Sequence, residues 1–410
     1  MKTPFWLCLL LALTLGCLFV AACLPNASSS SGKSAIDDDD DAAPADDDDD
    51  NDDDASPVDD DDDDDASPAV DDDDDNDASP GDDDDNDNDD DDLAWTEMWS
   101  GTGGSLTSVW AVAADDVFAV GTSGVPQYNG FAMHYAGATW SSTNFPTPVL
   151  WPSVWADSPS DAYVADLGGI YQFDGQSWNS VYDPAQQLYT FEWLFGVWGA
   201  SANNVFVTGF YEIIMEGVSW GEVLMGSGTT WDTGYLGSTL FGVGGTSDSD
   251  VFAVGVVAGA TTFHFDGASW DSGVSLGEGL PAAVWSATPS DAFVVGCGGN
   301  TCTATFLPSG GVSAVWRYNG STWSSMTVPN GPTLSSVWGS SASDVFAVGA
   351  DPSVNLPASL IHYDGSTWQP MAFPSSVVAL AGVSGTAPND VFAVGSTATG
   401  PVILHYGAKR

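Results

Sequence analysis

Basic side chains are very scarce in this chain of 410 residues, which has five Lys and Arg against 58 Asp and Glu. From Leu93 to Arg410 the bases are Arg317, Lys409 and Arg410, beside 23 acidic residues, so the net charge of this region is about −20. Nucleic-acid binding depends on Lys and Arg contacts to phosphate. The composition therefore predicts no nucleic-acid partner and disfavours anionic membrane surfaces and acidic substrates.

Cysteine and histidine are also scarce, with five and four copies. Cys297 and Cys302 stand at the two ends of the Gly-rich stretch "GCGGNTC". In an oxidising compartment, such a pair can close a disulfide across a hairpin, and two free buried thiols are the alternative. We expect no metal site and no cofactor, because no further Cys or His lies nearby.

The first 22 residues have the pattern of a secretion signal. Lys2 carries the only charge, and an apolar stretch runs from Phe5 to Ala22. The stretch leads into "VAAC", Val20 to Cys23, which resembles the lipobox of bacterial lipoproteins. That resemblance implies that Cys23 is lipidated and anchors the chain to the cell envelope, for which we expect the outer membrane. The alternative is an uncleaved transmembrane anchor, since about 18 apolar residues can just span a bilayer.

Residues 23–92 form a Ser-rich and then Asp-rich tether in this interpretation. From Asp37 to Asp92, 35 of 56 residues are Asp, and most others are Ala, Ser, Pro and Asn. Such a segment cannot form an apolar core, and its charges repel one another. The stretch "DNDNDDDD", Asp85 to Asp92, lacks the Gly turn and the bidentate Glu of a dedicated calcium loop. We therefore expect a disordered spacer between the anchor and a globular region at 93–410.

One sequence pattern recurs seven times in the globular region. An Asp or Asn precedes an apolar run such as "VFAVG", and a Trp usually stands six residues before it. The acidic or amide position is occupied by Asp116, Asp161, Asn204, Asp250, Asp291, Asp344 and Asp390. The position six residues earlier is occupied by Trp110, Trp155, Trp198, Gly244, Trp285, Trp338 and Ser384. The spacing predicts seven structural units.

Each unit is expected to contain four strands. A first strand like "LSSVWG" is followed by "VFAVG", whose apolar character on both faces indicates a strand that is covered on both sides. A loop of variable length leads to "LIHYD", a tight Asp-Gly turn and a fourth strand at "TW". Four-stranded units of about 45 residues are typical of propeller blades. The sequence thus predicts an all-β, seven-bladed propeller.

The seventh unit stops at "HYGAKR", before its fourth strand. Trp95 lies 15 residues before Trp110, as Trp323 lies 15 before Trp338. The segment Leu93–Trp99 is therefore expected to supply the missing strand and close the ring. We expect the recurring Trp to pack between blades, and the recurring Asp to cap its own turn through backbone hydrogen bonds.

The repeats resemble those of propellers in exported bacterial lipoproteins and, more loosely, Asp-box and kelch propellers. This resemblance implies the fold and leaves the function open. Sialidases share Asp-box propellers and are known for an Arg cluster, which a chain with Arg317 and Arg410 as its only mature Arg residues cannot form.

Two further patterns are interpreted as structural rather than catalytic. The four His occupy one repeat position that other units fill with Gln, Met or Arg. "GVSWG" and "GVSLG" match G-x-S-x-G, but they lie in Gly-rich loops rather than at the strand–turn–helix that a nucleophilic Ser needs. We therefore predict no catalytic residues.

The loops between the second and third strands share one face of a propeller with the links between blades, and these segments vary along the chain. Two of them are long, Tyr182–Trp193 and Phe210–Glu222. Binding residues usually lie on such loops. The predicted binding residues are Trp151, Tyr189, Glu192, Trp193, Tyr211, Glu212, Glu216 and Trp220. An alternative is that these aromatic residues only pack the loops together.

The leading functional hypothesis is a monomeric, lipid-anchored binding module for a protein or a glycan at the cell surface. The alternative is a secreted glycan hydrolase or lyase that uses two of Glu192, Glu212, Glu216 and Glu222. Hydrolysis with two carboxyl groups needs them about 5 to 9.5 Å apart.

Overall fold

The computed structural model describes residues 93–123, 129–184, 190–213, 215–257, 259–304, 308–351 and 356–408. Over these ranges the named elements are all β-strands, and they form seven four-stranded antiparallel sheets and one two-stranded sheet. The predicted seven-bladed propeller is confirmed. The predicted signal, lipidation site Cys23 and Asp-rich spacer lie outside the described residues. Within the described ranges, no helix has the length and apolar character needed to cross a membrane.

Blades 1 to 4 follow one another along the chain. Blade 1 consists of β2 (Ser105–Ala113), β3 (Asp116–Thr122), β4 (Gly130–Ala136) and β5 (Trp140–Asn144). Blade 2 consists of β6 (Ser153–Ser158), β7 (Asp161–Asp166), β8 (Gly169–Phe173) and β9 (Trp178–Tyr182). Blade 3 consists of β10 (Thr190–Ser201), β11 (Asn204–Ile213), β12 (Val218–Ser227) and β13 (Thr230–Tyr235). Blade 4 consists of β14 (Thr239–Ser247), β15 (Asp250–Val256), β16 (Ala260–Phe265) and β17 (Val274–Gly277).

Blades 5 to 7 complete the ring. Blade 5 consists of β18 (Leu280–Thr288), β19 (Asp291–Gly298), β22 (Val312–Tyr318) and β23 (Trp323–Ser325), with a small hairpin of β20 (Thr303–Ala304) and β21 (Pro308–Ser309) inserted. Blade 6 consists of β24 (Leu334–Ser341), β25 (Asp344–Asp351), β26 (Leu356–Tyr363) and β27 (Trp368–Pro370). Blade 7 consists of β28 (Val377–Ala387), β29 (Asp390–Thr397), β30 (Pro401–Gly407) and β1 (Ala94–Ser100).

The first strands of neighbouring blades contact one another around the whole ring and line its centre. Antiparallel pairing then fixes two faces. The Asp-turn face carries the turns between first and second strands and between third and fourth strands. The variable-loop face carries the loops between second and third strands and the links between blades. Every residue discussed below as a candidate site element lies near the variable-loop face.

The core lies between adjacent blades, because a single sheet cannot cover both of its faces. The second strand of blade 1, "DVFAVGT", is buried at every position. Its Phe118 packs with Phe173 of blade 2, with ring centroids 5.8 Å apart. The recurring Trp also bridges blades: Trp155 of blade 2 lies so close to Gly199 of blade 3 that a Cβ on that glycine would meet the indole at 2.6 Å. The buried second strands and the recurring Trp therefore form apolar cores between neighbouring blades around the ring.

The N-terminal strand closes the ring as predicted. β1 pairs with β30, and Trp95 stands opposite Tyr406. Trp95 is 5% exposed, and its ring packs against Tyr406 at 5.4 Å and against Phe346 of blade 6 at 6.2 Å. The two ends of the described chain thus share one sheet and one core.

The structure corrects the predicted role of the recurring Asp. In six blades its carboxylate bonds to a side chain of the third strand, which joins the two strands near the Asp-turn face. The pairs are His134–Asp116 at 3.1 Å, Gln172–Asp161 at 2.9 Å, His264–Asp250 at 2.7 Å, Arg317–Asp291 at 2.7 Å, His362–Asp344 at 2.6 Å and His405–Asp390 at 2.8 Å. The backbone-capping role belongs to the Asp or Asn of the third-to-fourth-strand turns, such as Asp174 and Asp364, because a short carboxylate there reaches the amides two and three residues on.

The glycine that ends most second strands is required by a close approach of the first strand. A Cβ added at Gly121, Gly209, Gly255, Gly296, Gly349 or Gly395 would lie 1.9–2.2 Å from a first-strand carbonyl oxygen. Blade 2 has Asp166 at this position, and its first strand begins later, pairing Ser153 with Ala165. The carboxyl of Asp166 is therefore buried at the variable-loop face without a first strand beside it.

Candidate functional site

Blade 3 extends further toward the variable-loop face than the other blades. Its second and third strands have 10 residues each, whereas the second strands of the other blades have six to eight. The extra residues form a hairpin, Phe210–Gly221, whose turn is closed by the amides of Glu216 and Gly217 bonding to the carbonyl of Ile213. Met215 at this turn is 75% exposed. The long loop of the sequence is thus a protruding, hydrogen-bonded β-hairpin.

The register of blade 3 places acidic and aromatic residues on one face. Glu192 stands opposite Tyr211, and Tyr211 stands opposite Trp220. Two residues nearer the centre of the sheet, Glu222 stands opposite Tyr235. Since side chains alternate between faces, all five lie on the same side of the sheet as Leu194 and Leu224. That side faces blade 2, because Leu194 and Leu224 pack with blade 2 residues.

A pair of carboxyl groups lies between blades 2 and 3. Glu192 and Glu222 are joined by a hydrogen bond, and the Tyr182 hydroxyl at the end of β9 donates to Glu192. Glu222 is 2% exposed. Oε1 of Glu192 and Oε2 of Glu222 are buried and have no hydrogen-bond partner among the described residues. The site therefore holds two acidic groups of which each retains one unsatisfied oxygen.

The electrostatics of the pair follow from burial and mutual repulsion. Burial raises the pKa of Glu222, and the charge of Glu192 raises it further. Burial also raises the pKa of Glu192, while the hydrogen bonds from Tyr182 and Glu222 act in the opposite direction. Two carboxylates this close do not both ionise readily. The raised pKa of Glu222 favours its protonated form, in which its carboxyl donates to Glu192.

Three aromatic rings stand beside the carboxyl pair and form one aromatic cluster. Ring centroids are 6.2 Å apart for Tyr211 and Trp220, 5.8 Å for Tyr211 and Tyr235, and 6.0 Å for Trp220 and Tyr235. Tyr235 is largely exposed, and the other two rings are partly buried. These faces offer π surfaces to an incoming group at the mouth of the blade 2–blade 3 interface.

The predicted binding residues divide into separate groups. Glu192, Tyr211 and Trp220 come together as described. Trp193 and Glu212 lie on the opposite face of blade 3, where Trp193 packs against Phe210 at 6.0 Å. Glu216 lies in the exposed hairpin turn. Tyr189 lies outside the described residues.

Trp151 lies in the link between blades 1 and 2. It has a φ of 51° and is 41% exposed. The preceding Leu150 donates its amide to Asp166 at 3.0 Å. Burial raises the pKa of Asp166 to about 7, against the opposing hydrogen bonds from the amides of Leu150, Gly168 and Gly169. Asp166 thus fixes the backbone next to a conformationally strained aromatic residue.

Two members of the site were not predicted from the sequence. Tyr182 was known only as the first residue of a long link, and Tyr235 follows the fourth strand of blade 3 without a special motif. The register could have indicated Tyr235, which lies four residues after the blade Trp, Trp231. Tyr182 belongs to a different blade, so only the packing of blades brings it to Glu192.

The remaining candidate chemistry is limited within the described ranges. Cys297 and Cys302 form a disulfide beside the hairpin of β20 and β21. No group of three or more His, Cys, Asp or Glu in the described part of the chain is placed to hold a metal ion.

The carboxyl separations favour binding over two-carboxylate hydrolysis. Glu192 and Glu222 are hydrogen-bonded, which is closer than the separation of about 5 Å or more that hydrolysis requires. Glu212 faces blade 4 and Glu216 lies at the hairpin tip, so neither supplies the second carboxyl at a fixed distance. Burial also raises the pKa of Tyr182, so its hydroxyl stays protonated and is not available to act as a base.

Comparisons with known proteins identify the architecture. No protein-family model matches the chain, and no curated protein matches it. Among solved structures, the WD40 propeller domain of Doa1 is similar with a TM-score of 0.53 and 9% identity, covering 76% of this chain and 97% of that one. YCF48 bound to D1 peptide gives a TM-score of 0.50 at 14% identity, covering 77% and 97%. A PL25 ulvan lyase bound to a glycan fragment gives 0.51 at 10% identity, covering 76% and 94%. At these identities the likeness establishes the propeller fold alone.

Proposed function

We propose that this chain is an exported, lipid-anchored binding module whose protein partner docks on the variable-loop face, over the hairpin of blade 3. The observation that carries the proposal is the hairpin itself. It is a hydrogen-bonded projection that presents Met215 and Val218 to solvent beside the aromatic cluster. Rigid apolar and aromatic groups are the usual anchors of protein interfaces, because they lose little conformational entropy on binding.

The distribution of exposed apolar residues supports the choice of face. Five exposed apolar or aromatic residues lie near the variable-loop face. They are Met215, Val218 and Tyr235 of blade 3, Val257 of blade 4 and Trp151 of the link between blades 1 and 2. Such groupings commonly mark interaction sites when polar residues surround them. A protein partner fits this mixture better than a glycan, because exposed aliphatic side chains have no hydroxyl-binding chemistry.

The similar solved structures provide precedents for both classes of ligand. YCF48 was solved with a peptide, and the ulvan lyase with a glycan fragment. The geometry supports a glycan-cleaving enzyme less well, because the carboxyl pair is too close for two-carboxylate hydrolysis and the Tyr182 hydroxyl stays protonated. Display outside the cell rests on the "VAAC" motif and the acidic segment that follows it.

The proposal is tested by selecting peptides from a display library against the full chain and probing the same protein on a glycan array. Binding of the selected peptides is then measured for Met215→Asp and Trp220→Ala. Val274→Asp is the matched control, since it places the same charge at an exposed aliphatic site on the outer strand of blade 4. We expect both hairpin variants to lose at least about tenfold in affinity, and the control to stay within about twofold. Full retention by the hairpin variants, or binding of glycans but not peptides, refutes the proposal.

A further inference from the structure

The buried acidic pair between blades 2 and 3 has no cationic partner in the described part of the chain. Arg317, the one Lys or Arg in the described ranges, lies in blade 5 and bonds to Asp291 and Tyr363. Glu222 is nevertheless 2% exposed, and its Oε2 atom is unsatisfied, as is Oε1 of Glu192. A buried polar atom without a partner is unfavourable in a folded protein, because it gives up its hydrogen bonds to water and gains none in exchange. The arrangement is therefore unfavourable for folding alone, and a ligand that satisfies both oxygens would remove that penalty.

The chemistry of the surroundings selects the kind of ligand. The globular region carries a net charge of about −20, which attracts cations and repels anions. A calcium ion needs six to eight oxygen ligands, and in the described part of the chain no further acidic side chain joins the pair to form a metal-holding group. The residues next to the pair in the register are the aromatic Tyr211, Trp220 and Tyr235. Aromatic faces and carboxylates together suit an organic cation, which can stack on a ring while donating hydrogen bonds.

We propose that the Glu192–Glu222 pair binds the cationic head group of an Arg or Lys side chain on the protein partner, with the aromatic cluster of Tyr211, Trp220 and Tyr235 enclosing the stem. This inference rests on the proposed function and specifies its partner as a segment with a basic side chain. Both oxygens are shielded from solvent in the free protein, so the basic group reaches them when the neighbouring aromatic rings move aside, and it then donates to the oxygens of both Glu residues. The partner's backbone then runs over the hairpin of blade 3, where Met215 and Val218 contact it.

The test uses the full chain and three tripeptide probes, acetyl-Ala-X-Ala amide, in which X is arginine, lysine or citrulline. Citrulline has nearly the shape of arginine but no charge. Binding is followed by Trp fluorescence and by saturation-transfer NMR at about 0.15 M salt, where interactions between charges in solvent are screened beyond about 8 Å. Because the Asp-rich segment is present in every variant, its own attraction for cations cancels in the comparison.

Glu192→Gln removes the charge of the acceptor, and Glu222→Gln removes the ability of Glu222 to ionise beside a bound cation, while both preserve size. Glu278→Gln is the control at an exposed site in the link from blade 4 to blade 5. Since the burial of Glu222 already favours its neutral form, a glutamine there should leave the fold intact. We expect the wild-type chain to bind the arginine or lysine probe roughly ten- to a hundredfold more tightly than the citrulline probe. Both buried variants should lose this preference, and Glu278→Gln should keep it.

Three outcomes overturn the inference. They are equal affinity of the wild-type chain for the arginine and citrulline probes, no binding of either basic probe, and an unchanged preference in both buried variants. The first of these needs no variant, so it holds even if a substitution impairs folding. A preference for arginine over lysine would support recognition of a planar guanidinium, and the reverse would support an ammonium group.

The two proposals fail in different ways. If selected peptides need Met215 and Trp220 but bind equally well to Glu192→Gln and Glu222→Gln, the binding module stands and the basic-group site is wrong. If the basic probes bind through the two Glu residues but hairpin variants leave peptide binding unchanged, the site stands and the proposed docking surface is wrong.

Discussion

Replacing Trp95 by Ala removes the main side chain through which the N-terminal strand joins blade 7. Trp95 is 5% exposed and contacts Tyr406 of its own sheet and Phe346 of blade 6. A buried aromatic residue removes about 150–250 Å² from water, and truncation of such a residue to Ala typically costs about 3–5 kcal/mol of unfolding free energy. The Nε1 atom of Trp95 is buried without a hydrogen-bond partner among the described residues. Its removal relieves about 1 kcal/mol, so we expect the lower end of the range, about 3 kcal/mol.

The same figure gives an expected thermal shift. With an unfolding entropy of about 2.1 cal/mol/K per residue over roughly 310 residues, 3 kcal/mol lowers the melting temperature by about 5 °C. Urea and thermal unfolding of the full chain, followed by circular dichroism, measure both quantities. Glu97→Ala is the matched control, because Glu97 lies two residues away on the same strand and is exposed. We expect it to change stability by less than about 0.5 kcal/mol.

A loss below about 1 kcal/mol for Trp95→Ala, or a loss equal to that of Glu97→Ala, would refute the closure of the ring by this strand. A large loss for both variants would instead indicate that the strand contributes through its backbone ladder with β30 and not through the Trp95 core.

Three further predictions concern buried charge, the disulfide and the one described Arg. Because the folded state raises the pKa of Glu222 and of Asp166, the latter to about 7, these groups hold their protons more tightly than in the unfolded chain. The stability that the protonated groups contribute is complete below the ordinary carboxyl pKa range and is lost as pH rises through the raised pKa values. The free energy of unfolding, measured with urea, should therefore fall between pH 5 and pH 8, and it should fall less in Glu222→Gln. An equal fall in the variant would contradict this. Cys302→Ser opens a disulfide whose cysteines are separated by 5 residues in sequence. Because this closes only a short loop, we expect the free energy of unfolding to fall by about 2 kcal/mol. A fall above about 4 kcal/mol would show that the disulfide stabilises more than its own loop. Arg317→Lys loses the two-point bond to Asp291 and the contact to Tyr363 of blade 6, so we expect a loss of about 1 kcal/mol that shrinks at high salt, and a salt-independent loss would indicate packing instead.

The fold could be predicted because each blade repeats the same physical requirements. The run "VFAVG" needs cover on both faces, its final Gly allows the first strand to approach, and the Asp-Gly turn closes the hairpin between third and fourth strands. These are local features, so seven copies predict seven blades. The missing fourth strand and the spacing of Trp95 also predicted the closure. The partners of the recurring Asp are side chains rather than the backbone amides that were predicted. One partner lies on the third strand, and in three blades Asp250, Asp344 and Asp390 also accept from a hydroxyl four residues earlier.

The candidate site was predicted only in part. The long segments of blade 3 indicated where variation lies, and Glu192, Tyr211 and Trp220 do share a face. Trp193 and Glu212 were included because they are close in sequence. A strand sends alternate residues to opposite faces, and the register needed to separate them comes from pairing rather than from composition.

The sequence by itself determined the number of blades, the identity of the core strands and the scarcity of positive charge, because each depends on residues repeated at short range. Only the tertiary structure decided that Glu192 and Glu222 lie within hydrogen-bonding distance of each other beside Tyr182. These three residues come from three different strands in two blades, and burial between the blades, which no local pattern encodes, raises their pKa values and leaves two carboxyl oxygens unsatisfied.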